Sequence, residues 1–272
     1  MPIRSALITV MDRAVRKAGS SLRRDFGEVE QLQVSKKGPA DFVSNADRKA
    51  ERVLFEELSR ARPDFGFLME EEGEQAGSSP DMPRWIVDPL DGTTNFLHGI
   101  PHYAISVALE DHGEIVAGMV YQPLTDETFW AEKNKGAWLG ERRLRVSGRT
   151  DLAQSVIATG IPFHGHGNHD SFSAILAAVM PQVAGVRRFG AAALDLAYVA
   201  AGRFDGFWEA GLQPWDIAAG ILLVREAGGF VSDFKGGDKM LASGDVVAGN
   251  SHIQSRLHKL VAQSLKKPPV IG

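Results

Sequence analysis

The sequence contains no cysteine among its 272 residues. This absence excludes disulfides, thiol nucleophiles and zinc sites built on cysteine. Long apolar runs are also missing: the most apolar window, Ile217 to Val224, is far shorter than the roughly 20 residues that a membrane-spanning helix needs. Charged residues interrupt the N-terminal segment early, which is not typical of a secretory signal. We therefore expect a cytoplasmic protein that does not bind membranes.

An excess of positive charge is missing as well. The chain has 30 Lys and Arg against 34 Asp and Glu, a formal net charge of −4. No strong basic field attracts nucleic acid, so we expect no direct nucleic-acid binding. An acidic protein that acts on an anionic substrate must present bound cations locally. The length and the 44% hydrophobic content allow one large domain with an ample core.

The stretch that carries most chemistry is Asp-Pro-Leu-Asp-Gly-Thr-Thr-Asn at residues 88–95, directly after the apolar run Trp85 to Val87. The apolar run predicts a short buried strand, and Pro89 predicts a bend between the two aspartates. Two carboxylates brought close together repel each other unless a cation lies between them. Hard oxygen donors favour Mg²⁺, Mn²⁺ or Ca²⁺. The alternative interpretation is an Asp-rich turn that follows a strand.

Three further acidic positions stand at the ends of predicted elements. Asp47 lies in the first turn of a helix that ends near Ala61, and Asp216 is the expected N-cap of another apolar helix. Glu70 directly follows the predicted strand Phe65 to Met69. Each has a structural alternative, because aspartates commonly cap helices and acidic runs commonly form solvated loop edges.

Residues 88–95 resemble the first signature of the inositol monophosphatase family of Mg²⁺-dependent, lithium-sensitive phosphatases. Trp215 to Gly220, followed by Glu226 to Gly229, resembles the second signature. Lys36, Asp47, Glu70 and Glu71 also match positions of the family pattern. The similarity extends from about residue 36 to about residue 249 of the chain.

The resemblance implies a metal site with two to three Mg²⁺ ions, which Mn²⁺ can replace. The implied ligands are Glu70, Asp88, the Leu90 carbonyl, Asp91 and Asp216. It also implies that Asp47 and Thr93, together with Glu70, are catalytic and activate the attacking water. Glu71 and Lys36 are implied as supporting residues.

The resemblance further implies which residues contact the substrate. These are Asp91, Gly92, Thr93, Thr94, Gly190, Ala191, Ala192, Glu209 and Asp216. Backbone N–H groups at Gly92 to Thr94 are expected to bind the phosphate. Ala191 replaces the hydroxyl residue usual in the family, which removes one hydrogen bond to a polyol. Glu209 has a structural alternative as a surface residue at a strand end.

The expected fold is α/β with layered helices and sheets, and it resembles the αβαβα sandwich of the sugar phosphatases. It has an antiparallel sheet in the first lobe and a mixed sheet in the second. No linker separates the halves, so we expect a single domain over residues 1–272, with lobes of about 1–150 and 151–272. The site should lie where the lobes meet.

The predicted function is Mg²⁺-dependent hydrolysis of inositol 1-phosphate to inositol and phosphate, by direct attack of metal-activated water. Alternative substrates are fructose 1,6-bisphosphate, 3′-phosphoadenosine 5′-phosphate and histidinol phosphate. A different class of function is a regulatory protein that binds the transcription machinery. The resemblance also implies a homodimer. The loop from His164 to His169 is expected to be mobile and near the site entrance, with a metal-binding tract as the alternative.

Overall fold

A computed structural model describes residues 4–27, 34–36, 42–163 and 167–266, with the backbone alone for 34–36 and 42–44. The side chain of Lys36 and residues 164–166 of the histidine-containing loop therefore lie outside the described residues. Within these ranges, no helix combines the length and the apolarity needed to cross a membrane.

The α-helices follow apolar residues at helical spacing. In α1 the buried residues Ile8, Met11, Val15 and Leu22 share one face, and the Ser5 hydroxyl caps the helix by accepting the Ile8 N–H at 3.2 Å. The helices are α1 (Ala6–Phe26), α2 (Asn45–Ala61), α3 (Thr93–Leu97), α4 (His169–Val179), α5 (Ala192–Ala200), α6 (Pro214–Glu226), α7 (Met240–Ser243) and α8 (Ser251–Ser264). Short 3₁₀ helices cover Leu152–Gln154 and Met180–Gln182.

The strands form a large first sheet, a smaller second sheet and one isolated pair. Those of the pair are β1 (Val34–Lys36) and β2 (Phe42–Ser44). Those of the first sheet are β3 (Gly66–Met69), β4 (Gly73–Gln75), β5 (Arg84–Asp91), β6 (Ala104–Asp111), β7 (Glu114–Gln122), β8 (Glu127–Glu132), β9 (Ala137–Leu139) and β10 (Arg142–Arg143). Those of the second are β11 (Val156–Thr159), β12 (Gly185–Arg187), β13 (Gly206–Glu209), β14 (Phe230–Ser232) and β15 (Val246–Gly249).

The first sheet has the order β10-β9-β8-β7-β6-β5-β3-β4. Its pairs are antiparallel, as predicted, except that β3 runs parallel to β5, with Met69 opposite Val87. The second sheet has the order β12-β11-β13-β15-β14. It is mixed, because β11 is parallel to both β12 and β13, whereas β15 is antiparallel to β13 and β14. The parallel β3–β5 pair brings the ends of both strands, and the acidic residues there, to the same edge of the sheet.

The elements stack in five layers, which confirms the predicted αβαβα sandwich. Helices α1 and α2 pack on one face of the first sheet, while α5 and α6 lie between the two sheets. Helices α4 and α8 cover the outer face of the second sheet. The central helix α6 is apolar on all sides because both sheets bury it, and its residues from Ile217 to Val224 are all buried.

At Pro89, where the sequence predicted a bend after the end of a strand, the structure shows an irregularity within a longer strand. Strand β5 continues from Arg84 through Asp91, and its register with β6 shifts between Asp88 and Asp91. Proline lacks the N–H that a regular ladder requires, and an irregularity in the pairing accommodates it. The chain therefore stays extended through both aspartates.

Candidate active site

Strand β5 brings Asp88 and Asp91 into one acidic centre. Residues three apart in a regular strand point to opposite faces, and the register shift between these two aspartates changes that alternation. Both side chains are buried, at 2% and 8% exposure, and their charges interact. The Leu90 N–H donates to Asp88 Oδ1 at 2.9 Å, which fixes the orientation of that carboxyl group.

Gly92 ends the strand and begins α3. Its φ of +90° lies in the left-handed region, which glycine adopts without strain. The turn places Thr93 over the strand end, with its hydroxyl 2.9 Å from the Leu90 carbonyl oxygen and 3.5 Å from Asp47 Oδ2. The sequence-predicted pair of Asp47 and Thr93 is thus brought together beside the carbonyl of Leu90.

A second group of carboxylates comes from α2 and from the turn after β3. Oxygens of Asp47, Glu70 and Glu71 lie within 4.8 Å of one another, a spacing that suits a metal ion. This trio differs from the predicted ligand set, since it includes Asp47 and Glu71 and leaves out Asp88, Asp91 and Asp216. The charge of Glu70 nevertheless acts on both Asp88 and Asp91, so the two groups form one electrostatic centre.

Helices α5 and α6 complete the centre. The Ala193 N–H at the start of α5 donates to Asp91 Oδ2 at 2.8 Å. Asp216 is not the N-cap that the sequence predicted: Gln213 is the N-cap, and Asp216 is the third helical residue of α6. Its Oδ2 accepts the Gln213 N–H at 2.7 Å in a capping box. Its carboxyl group also lies within hydrogen-bond reach of Asp88.

Burial and mutual repulsion disfavour the charged forms of these carboxylates. Burial raises the pKa of Asp91 and of Asp216 to about 7, and the charge of Asp91 adds to the rise at Asp216. Burial and four neighbouring carboxylates raise the pKa of Asp88 well above its usual value. A divalent cation would relieve this repulsion, and the donors are hard oxygens. The residues therefore fit Mg²⁺ or Mn²⁺.

The turn before α5 packs against Gly92, at the end of β5. A Cβ built on Gly92 would lie 3.3 Å from the Ala191 methyl group and 3.3 Å from the Gly190 carbonyl oxygen, so the two turns are in close contact. The residues predicted as substrate contacts at 190–192 are thus adjacent to those at 92–94. Ala191 and Ala192 are buried, whereas Thr94 is exposed.

Glu209, at the end of β13, faces a cavity of about 700 Å³ that begins at the acidic centre. Burial raises the pKa of Glu209 to about 8, with further contributions from the charges of Asp216 and Asp91. Glu70 and Asp216 also line the cavity, and Trp208, Phe172 and Phe234 form its apolar walls. Glu209 is half-buried and lines this cavity, a position that favours contact with a substrate over the structural alternative of a surface residue. Its role as a substrate contact stays a prediction.

Two residues of the site were not singled out from the sequence. The Asn95 side-chain amide donates to the carbonyl oxygens of His102 at 2.8 Å and Phe189 at 2.7 Å, which connects the first lobe to the turn before Gly190. Glu51 accepts two backbone N–H groups from the turn that carries Glu70 and Glu71. A sequence signal for Glu51 existed: it lies four residues after Asp47, on the same face of α2.

Comparisons with known proteins agree with this geometry. The model of the inositol monophosphatase family matches residues 4–268. Inositol-1-monophosphatase of Mesorhizobium japonicum is 62% identical over 262 residues, which cover 96% of this chain and 98% of the relative. Nus factor SuhB of Escherichia coli K12 is 44% identical over 247 residues, covering 91% and 92%. The crystal structure of extragenic suppressor protein suhB from Bartonella henselae superposes with a TM-score of 0.92 at 58% identity, covering 94% and 98%. These matches confirm the family and the phosphatase class predicted from the sequence.

Proposed function

Because this chain belongs to the inositol monophosphatase family, we propose that it hydrolyses inositol 1-phosphate to inositol and phosphate with the help of Mg²⁺. The observation that carries the proposal is the convergence of carboxylates on one centre: buried ones from β5 and α2, and half-buried ones from α6 and the β3–β4 turn. Such a centre repels a phosphate ester unless cations occupy it, and with cations bound it attracts one.

The proposed ligands of two to three Mg²⁺ ions are Glu70, Asp88, the Leu90 carbonyl, Asp91 and Asp216. When bound, the ions supply Lewis-acid stabilisation of phosphoryl charge and lower the pKa of water. Asp47 and Glu71 share the 4.8 Å trio with Glu70 and would complete or support the coordination there. Lys36 stays a proposed supporting residue.

The chain's own groups then position the reactants. The Thr93 hydroxyl and the Asp47 carboxylate lie close enough to hold one water between them and to accept its proton. First-turn N–H groups of α3, from Thr93 onward, have no partner within the helix and can donate to phosphate oxygens. Asp216 lies on the cavity side of the centre, where the departing alcohol would leave.

The alcohol part of the substrate is proposed to occupy the cavity beside Glu209. A carboxylate accepts hydrogen bonds from hydroxyl groups, so Glu209 favours a polyol. Ala191 presents a methyl group where a hydroxyl would donate or accept one more bond, which weakens selection for inositol among polyols. Fructose 1,6-bisphosphate, 3′-phosphoadenosine 5′-phosphate and histidinol phosphate therefore stay alternative substrates.

A phosphate-release screen tests the proposal. Inositol 1-phosphate and the three alternatives are compared at equal concentration, with Mg²⁺ and with a chelator. We expect chelator-sensitive release that is fastest with inositol 1-phosphate. Phosphate release that continues unchanged in the chelator would refute the metal-dependent mechanism. Faster release from another ester would make that ester the proposed substrate in place of inositol 1-phosphate.

The similarity to proteins named Nus factor SuhB favours one second function, association with the transcription machinery. Such association would not need turnover, so Asp88→Asn should recover polymerase subunits in a pull-down as well as the wild type does. If neither the wild type nor Asp88→Asn recovers polymerase subunits, the association with the transcription machinery is refuted. We also propose that the protein is cytoplasmic and forms a homodimer, which light scattering would reveal. Lithium is proposed to inhibit phosphate release.

A further inference from the structure

Glu51 holds the turn that carries two acidic residues of the site. This turn spans residues 70–72 and connects β3 to β4. The two carboxylate oxygens of Glu51 accept different backbone donors: Oε2 accepts the Glu71 N–H at 2.9 Å, and Oε1 accepts the Glu72 N–H at 2.9 Å. The Glu51 side chain is buried, with 1% of the residue exposed. Both bonds are therefore protected from competing water.

The same turn is attached on its other side to the strand of the active site. The Glu70 N–H donates to the Val87 carbonyl oxygen at 3.3 Å, and Val87 immediately precedes Asp88 in β5. Three consecutive backbone N–H groups, from residues 70 to 72, thus have fixed partners on β5 and α2. The turn cannot shift relative to Asp47 and Asp88 without breaking these bonds.

Glu51 and Asp47 belong to the same helical face, one turn apart on α2. The helix therefore supplies one carboxylate of the 4.8 Å trio directly and sets the distance to the other two, Glu70 and Glu71, through Glu51. A metal site with ligands on separate elements needs such supports, because ligand positions must be held to within a few tenths of an ångström.

We propose that Glu51 is a positioning residue that fixes Glu70 and Glu71 for binding of a divalent cation. The proposal depends on the metal binding that the proposed function requires, but not on the hydrolysis itself, and it assigns no contact between Glu51 and the cation or the substrate. A carboxylate suits this role because both of its oxygens are acceptors, and the turn presents two donors.

Two substitutions separate the effect of the hydrogen bonds that position the turn from the effect of the negative charge of Glu51. Glu51→Gln keeps the size of the side chain but places an amide N–H against a backbone N–H, so one of the two bonds is lost. Glu51→Asp keeps the negative charge but is one methylene shorter, so it cannot reach both donors. The matched control is Glu57→Gln, also on α2 and 3% exposed, whose carboxylate pairs with Lys17, Arg60 and Arg13 away from the turn.

The measurement is Mn²⁺ binding to the metal-free protein without substrate, followed by the electron paramagnetic resonance signal of free Mn²⁺. Thermal unfolding confirms that each variant is folded at the assay temperature. We expect both Glu51 variants to bind Mn²⁺ about 10- to 100-fold more weakly than the wild type, and Glu57→Gln to bind it normally. Phosphate release by the Glu51 variants should need correspondingly more Mg²⁺ and should recover substantially at saturation.

Several results would overturn the proposal. Normal Mn²⁺ affinity in folded Glu51→Gln and Glu51→Asp would reduce Glu51 to a structural residue. Normal affinity in Glu51→Asp alone would show that charge, not position, matters, and an equal loss in Glu57→Gln would show a general effect of helix α2. If Glu51→Gln does not fold, Glu51→Asp decides between these outcomes. Mn²⁺ binding by a wild type that releases no phosphate would refute the proposed function and leave this proposal standing.

Discussion

Gly160 provides a sharp test of the role of Glu209 because it directly follows strand β11, beside Glu209 at the end of β13. Strand β11 ends at Thr159, which is opposite Trp208 in the parallel pairing with β13. A Cβ built on Gly160 would overlap the carboxyl group of Glu209 at Oε1, Cδ and Oε2. The sheet holds both backbones, so Gly160→Ala must move the Glu209 side chain.

The size of the effect follows from this geometry. Ordinary Cβ contacts lie at 3.4–4 Å, so the carboxyl group must move by more than about 1 Å. A displacement of that size breaks a hydrogen bond from a substrate hydroxyl to the carboxylate, which is worth about 1.5–3 kcal/mol. We expect KM for inositol 1-phosphate to rise about 10- to 100-fold while kcat changes much less.

The assay is steady-state phosphate release at saturating Mg²⁺. Gly148→Ala is the matched control, because a Cβ there meets no atom within 4 Å. The phosphate ester of a short alcohol without further hydroxyl groups should react equally with wild type and Gly160→Ala. An unchanged KM for inositol 1-phosphate in Gly160→Ala would refute the assignment of Glu209 to the substrate, and an equal loss with the short ester would indicate damage to the metal centre instead.

Three further predictions concern the acidic centre. Asp88→Asn should lower phosphate release on the order of 10³-fold and leave the circular dichroism spectrum unchanged, because charge stabilisation by the metals contributes several kcal/mol. The control is Asp205→Asn, at an equally buried residue, which should keep its turnover. Near-normal turnover of Asp88→Asn would contradict the metal assignment. Gly92→Val should lower both the free energy of unfolding, by at least about 1 kcal/mol in a denaturant titration, and phosphate release, since a Cβ at φ +90° would also approach the His102 carbonyl oxygen to 3.0 Å. Without metal, the folded-state pKa of Asp216, about 7, exceeds its value of 3.8 in a model peptide, so its contribution to stability is fully present below about pH 4 and is lost as the pH rises through 7. The Tm of the metal-free protein should therefore fall between pH 5 and 8, and it should fall less steeply in Asp216→Asn. Addition of Mg²⁺ should restore the Tm. A Tm that does not respond to Mg²⁺ at pH 8 would contradict the assignment of a metal site to Asp216.

Much of the fold could be predicted because local signals agree with the global layers. Leu7, Met11, Val15 and Leu22 recur at helical spacing, a local pattern that indicates a helix, and α1 extends over them from Ala6 to Phe26. The layer order followed from the resemblance to a family with two specific signatures. The path of β5 was missed because Pro89 normally interrupts a strand, and the register shift that admits it depends on pairing with β6, which is distant in sequence.

The candidate site could be predicted only in part. The sequence indicated which carboxylates belong to the centre, and the structure brings Asp47, Glu70, Asp88, Asp91 and Asp216 together. It did not indicate what holds them. The supports provided by Glu51 and Asn95 are hydrogen bonds to backbone groups of other elements. The sequence places Glu51 on the helical face of Asp47, but it does not show which backbone groups Glu51 accepts. The capping position of Asp216 was also missed, because Gln213 and Pro214 extend α6 by one turn beyond its apolar run.

The convergence of these carboxylates on divalent cations is tested most directly by a crystal structure of the protein with Mn²⁺, using anomalous scattering to locate the ions. We expect at least two anomalous peaks among the oxygens of Glu70, Asp88, Asp91 and Asp216. Carboxylates that point apart, with no peak among them in crystals whose solution contains saturating Mn²⁺, would contradict it.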